Sequence, residues 1–200
     1  DPMAGGQWDL ASHETGMAFG RPWCKDPSGA LWFIGSRGGL YRWSAKGSPE
    51  RVSRDSIDRK LQAVNLGTHY VRLVWNYEDE GIHILYMPFG TVTVATHYFF
   101  DIKSGAFHSD KFLDNGANTY QPTAALVIDG DARDDRVMLF GCNDSRIRRW
   151  DRDAKQDSGA GESAGAINID SYVVIGPIAP DTLKAEAQYS EFTAWLARDQ

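Results

Sequence analysis

Apolar and polar residues alternate with a period of two along most of the chain. They come in short runs rich in β-branched and aromatic side chains, separated by residues that favour turns. That pattern predicts strands joined by tight turns. Residues 30–35 run into the turn 36–39, whose two glycines allow positive φ, and residues 40–43 lead back out as the second arm of a hairpin. Residues 70–75 and 82–86 form a second hairpin around an acidic tip at 76–81. Residues 96–100 enter a turn in which Asp101 caps the chain through its own carboxylate and Gly105 supplies the left-handed position. The same grammar returns at 124–128, 136–141 and 146–150, and no segment before about residue 180 carries a helical period.

Superposed, these pieces repeat. Ile34-Gly35 corresponds to Leu85-Tyr86 and to Phe140-Gly141, and Trp43, Phe100 and Trp150 each close the following strand ahead of a polar, glycine-terminated turn. A period of about 40 to 50 residues with some four strands per unit is the pattern of β-propeller blades. The reading is therefore all-β: a propeller-like repeat of four-stranded antiparallel blades, an incomplete ring at this length, with approximate units 12–60, 61–112, 113–165 and 166–200 in a single repeat domain. A β-sandwich, whose strands and turns are similarly spaced, is the alternative. The last unit is the least regular: residues 157–165 are of low complexity, and residues 183–196 fit a strand better than a helix.

Composition narrows the function more than it names it. The chain has 42% hydrophobic and 24% charged residues, a globular balance, and no apolar run approaches the roughly 20 residues of a membrane-spanning helix. Its 21 basic and 27 acidic side chains leave a net charge of −6, and only Arg146, Arg148, Arg149 and Arg152 approach a basic cluster, so neither nucleic acid nor a membrane is an expected partner. The two cysteines, Cys24 and Cys142, have no metal-binding spacing and read as buried thiols, with a disulfide between them left open. Both ends are abrupt, and the chain reads as an excerpt of a longer protein.

Candidate chemistry is sparse. His83 and His97 fall on neighbouring strands and are the best metal pair, but no third ligand stands at a recognisable spacing, and His13, His69 and His108 have less support. Glu78, Asp79 and Glu80, like Asp129, Asp131, Asp134 and Asp135, sit at hairpin tips as solvated turn formers. Asp151, Asp153 and Asp157 partly match a calcium loop but lack its central glycine and terminal glutamate. A carbohydrate-acting or carbohydrate-binding propeller would draft Glu14, Asp26 and Asp101, and most of the seven tryptophans read as packing residues. No catalytic, cofactor-binding or metal residue is assigned and no cofactor is expected. The Trp150-Asp151 dipeptide matches a WD repeat once, without the Gly-His that accompanies it.

Several phrases taken together carry a resemblance. Residues 12–17 (Ser-His-Glu-Thr-Gly-Met), 23–26 (Trp-Cys-Lys-Asp), 29–41, 51–53, 137–141 with Trp150-Asp151, and 172–178 are similar to blade-like repeats in structural proteins of tailed bacteriophages and their prophage or gene-transfer relatives. The resemblance implies a non-enzymatic virion or tail-associated protein, found in the virion or in the host cytoplasm during assembly. Its partners would be proteins, either further copies in a homo-oligomer or virion neighbours. It carries over no functional residue. The loops at Arg37 to Gly39, Glu78 to Glu80 and Asn143-Asp144 are the exposed candidates for contact.

Overall fold

The computed structural model describes residues 15–44, 46–54, 56–89, 96–110, 112, 121–128, 130–131, 136–143, 145–151, 156–157 and 167–168. The chain divides into two compact units, residues 1–168 and 169–200, and every described residue belongs to the first. The expected strand at 183–196, the low-complexity run from 158 onward and most of the fourth unit lie outside the described residues.

What is described is almost wholly β, in several sheets of mainly antiparallel strands. The first sheet is a meander of β2 (Trp23–Lys25), β3 (Leu31–Ile34), β4 (Leu40–Trp43) and β5 (Glu50–Arg51). The second runs β6 (His69–Asn76), β7 (Gly81–Pro88), β8 (His97–Asp101) and β9 (Ala106–Asp110), with β1 (Gly20–Arg21) added parallel to β6. The third is β10 (Pro122–Ile128), β11 (Val137–Cys142) and β12 (Ile147–Arg149), and a separate ladder joins β13 (Gln156–Asp157) to β14 (Ile167–Asn168). The three hairpins read from the pattern are thus present with nearly the expected bounds. Their turns use the expected chemistry: Gly38 and Gly39 stand at φ 77° and 90°, and Asp101 accepts bonds from the Lys103 N–H at 2.9 Å and the Ser104 hydroxyl at 2.6 Å.

One helix corrects the sequence reading. α1 (Asp58–Ala63) lies between the first and second sheets in sequence. Six residues make less than two turns, and only Leu61 is buried, so there is no repeat for a period of 3.6 to reveal. Its position is fixed by polar contacts instead. Asp58 pairs with Arg51 at 2.6 Å and accepts from the Ser53 hydroxyl at 2.6 Å, while that hydroxyl accepts the Leu40 N–H at 2.9 Å. The helix backbone rests on the first hairpin's turn, where a Cβ on Gly38 would stand 2.9 Å from the Cα of Gln62. Arg37 is exposed, but Gly38 and Gly39 are buried, so this loop is not the open contact surface expected of it.

The second sheet lies between the other two. Strand alternation sends Val71, Leu73, Trp75, Ile82, Ile84, Tyr86, Tyr98 and Phe100 to one face, where they meet Cys24, Trp32, Ile34 and Leu40 of the first sheet. Val74, Leu85 and Met87 point the other way, onto Ala125, Met138, Phe140 and Cys142 of the third. The two cysteines therefore lie on opposite sides of the second sheet, with no disulfide between them. Burial pushes the Cys24 thiol well above its ordinary pKa, and the Asp26 charge adds to the shift. The superposed repeats also need one adjustment. Ile34 and Leu85 both face the following sheet, whereas Phe140 faces back onto the second sheet, one residue out of phase.

The close seat of α1 on the hairpin gives a stability prediction. Gly38→Ala places a methyl against helix backbone at positive φ and should lose about 2 kcal/mol or more. Gly47→Ala, at φ 70° with open space around it, should lose only about 1 kcal/mol. Urea unfolding of both variants tests this, and equal losses would contradict the helix contact.

Candidate functional site

The two histidines singled out from the sequence share a face of the second sheet, the one turned toward the third, because His83 stands opposite Phe99 and His97 opposite Asp110 in the ladders. Both are buried, and each has its own protein partners. The Asp110 carboxylate can only accept, so His83 donates to it through Nδ1 at 2.6 Å, while Nε2 lies 3.2 Å from the Asn76 amide nitrogen. The Tyr86 N–H can only donate, so His97 receives it at Nδ1 at 3.0 Å, and its Nε2–H goes to the Gln121 side-chain oxygen Oε1 at 3.1 Å. With all four ring nitrogens engaged, neither side chain offers a lone pair to a metal. No cluster of three or more metal-binding side chains occurs among the described residues.

The other candidates are similarly occupied. Asp26 accepts from the Ser28 hydroxyl at 2.5 Å, the Ala30 N–H at 2.9 Å and the Trp32 indole at 2.9 Å. Burial raises its pKa, but these bonds together outweigh that and hold it below the usual carboxylate value. Asp101 is held low chiefly by the Ser104 hydroxyl and the Lys103 N–H. Both acids organise their own turns, so neither is aimed at a shared site. At the β6–β7 tip Asn76 does the organising, accepting the Glu78 and Asp79 N–H groups at 2.9 and 3.2 Å. Glu78 and Glu80 are exposed there, as expected of turn formers, and Asp131 is exposed as well. His69 bonds Thr68 at 3.0 Å within its own turn. His13, Glu14, Asp129, Asp134, Asp135, Asp144, Arg152 and Asp153 lie outside the described residues, as does the side chain of Asp157.

Between the second and third sheets, Asn76, Tyr77, Glu78, Arg136, Arg149 and Trp150 border a cleft with a free volume of about 20 Å³. Arg136 lies over the Tyr77 ring at 5.2 Å. That is room for a water and not for a sugar ring.

The feature that stands out is the far side of the third sheet. Ala125, Met138, Phe140 and Cys142 are spent on the second sheet, which turns Leu126, Leu139 and Ile147 outward. Leu126 is 52% exposed, Ile128 46% and Ile147 75%. They lie side by side: Leu126 is opposite Leu139, Ile128 opposite Val137, and Ile147 opposite Gly141. Scattered exposed aliphatics need no explanation, but these three form a contiguous apolar patch on one sheet face. The sequence hid it. In Arg146-Ile147-Arg148 alternation suggests an inward isoleucine, yet the ladder places Ile147 on the outer face.

Comparison of the chain with models of known protein families, with curated proteins and with solved structures finds no match.

The His97 arrangement gives a prediction on pH. Burial lowers its pKa, against the opposing pull of the Gln121 bond and the Asp110 charge, and the neighbouring His69 and His83 lower it further. A base with a depressed folded pKa contributes stability that is complete above its unfolded value, near 6.5, and is lost as pH falls below it. Unfolding free energies measured between pH 8 and pH 5 should therefore fall more steeply in the native chain than in His97→Gln. Parallel curves would contradict this placement of the proton.

Proposed function

We propose that the chain is a non-enzymatic β-propeller-like module that works by binding other proteins within an assembly, as a tail-associated component of a phage virion. The observation that carries the reading is the solvent-facing apolar side of the third sheet. Support for the propeller-like arrangement comes from three meanders that follow one another in sequence, stack face to face, and set β6 between the first strands β2 and β10. A blade needs a neighbour on each face, and among the described residues the third sheet has one on its inner face only. The virion setting rests on the resemblance of the repeat phrases.

Magnitudes favour a contact that works alongside others. Three strands at about 4.8 Å spacing and some 20 Å length make a small footprint, below that of a stable standalone interface. Leu126, Ile128 and Ile147 are already partly covered, so completing their burial contributes about 1 kcal/mol each. Such a surface suits repeated, cooperative contacts between copies or neighbours.

Sedimentation of the native chain across a wide concentration range should show reversible self-association. Leu126→Lys with Ile128→Lys should abolish it while leaving unfolding within about 1 kcal/mol of native, since both positions face solvent. A native chain that stays monomeric up to millimolar concentration would overturn the reading.

A further inference from the structure

We propose that the outer edge of β12 accepts an added strand from a partner protein, one whose sequence sets carboxylates around an apolar residue. The proposal deepens the interaction reading above and rests on it. The first two sheets each continue to a fourth meander strand, β5 and β9, whereas among the described residues the third ends at β12, and β13 pairs with β14 instead of extending it.

The phase of the hydrogen bonds shows which groups are left over. The Arg146 carbonyl accepts from the Cys142 N–H at 2.9 Å, Arg148 stands opposite Phe140, and the Trp150 N–H donates to the Met138 carbonyl at 2.8 Å. Residues 146, 148 and 150 therefore turn their backbone groups toward β11. In an antiparallel ladder the intervening residues turn theirs the other way, so the N–H and C=O of Ile147 and Arg149 face outward. Two residues spaced in this way present one repeat of a ladder to an incoming strand.

Side chains supply the specificity. Ile147 is 75% exposed because Gly141, directly across from it, has no side chain to shield it. Around it stand Arg146 and Arg149, both exposed, and Arg148, half-buried, in a chain whose net charge is −6. Arg146 and Arg148 also make contacts within the chain, while Arg149 shares the outer face of β12 with Ile147 and places an exposed cation beside it. An entering strand with an apolar residue opposite Ile147 and acids beside it would meet both features. A basic strand would be repelled.

The test uses the full 200-residue chain and a labelled peptide, Thr-Glu-Glu-Val-Glu-Glu-Thr, whose symmetry serves either strand direction, with the Lys counterpart as control. Fluorescence anisotropy should show saturable binding of the acidic peptide, at least tenfold weaker for the basic one. Ile147→Pro removes an outward N–H without touching the β11 ladder and should weaken binding at least tenfold with the melting transition unchanged. Should that variant unfold, Arg149→Glu keeps the backbone and should narrow or reverse the preference between the peptides. Absence of saturable binding at millimolar acidic peptide, or native-like binding by a folded Ile147→Pro, overturns the proposal. If that happens while self-association through Leu126 and Ile128 persists, the edge inference alone falls. Loss of self-association with peptide binding intact would sink the face contact and leave the edge standing.

Discussion

Because both faces of the second sheet are covered by other sheets, every residue of β7 from Gly81 to Met87 is buried, and its two polar side chains are treated differently: both His83 nitrogens have protein partners, while the Tyr86 hydroxyl is buried without a hydrogen bond. Much of the remaining structure follows from that constraint. Ile82, Ile84 and Tyr86 dictate an apolar face on the first sheet, and Leu85 with Met87 dictates another on the third. His83 and His97 survive between sheets because Asp110, Asn76, Gln121 and a backbone N–H occupy their nitrogens. Even backbone geometry yields to the packing: a Cβ on Gly81 would fall 2.2 Å from the ring of Phe99, so the residue after the tip is glycine for space, while Glu80 itself takes the positive φ.

The sheets are joined by polar ties as well as by apolar contact. The Tyr70 hydroxyl donates to the Thr123 carbonyl at 2.6 Å, and Arg72 reaches the Ala125 carbonyl, both linking β6 to β10. Burial lowers the pKa of Arg72, with the nearby Arg21 adding to the effect. Such ties fix the register between sheets, where apolar packing alone tolerates sliding. Among the described residues, the same arrangement leaves the third sheet with one face covered by the second and the other carrying the exposed Leu126, Ile128 and Ile147. Its outward apolar residues and the edge of β12 are thus products of one packing decision.

Strands and turns were legible because they are local. Period-two alternation and the glycines at 38, 39 and 105 identified the hairpins to within a residue or two. Relations between sheets were not local and stayed hidden. β6 and β7 are buried on both faces, so their alternation carries no mark of which side meets which neighbour. Two-residue strands such as β1 and β5 are too short to show any period, and α1 is too short for a helical one. Phe140 was placed one residue out of phase because hydrophobicity alone does not fix facing. The arginines at 146, 148 and 149 were visible as the nearest thing to a basic cluster. Their meaning depends on the open edge they flank, which only the ladder reveals.

Amide hydrogen exchange resolved residue by residue in dilute solution tests the account most directly. It predicts the slowest exchange in β7, at the rate of global unfolding, together with a sharp alternation along β12 in which Arg148 is protected while Ile147 and Arg149 exchange nearly freely. Exchange of β7 faster than β3 or β11, or protection of Ile147 equal to that of Arg148, would contradict both the central position of the second sheet and the open edge of the third.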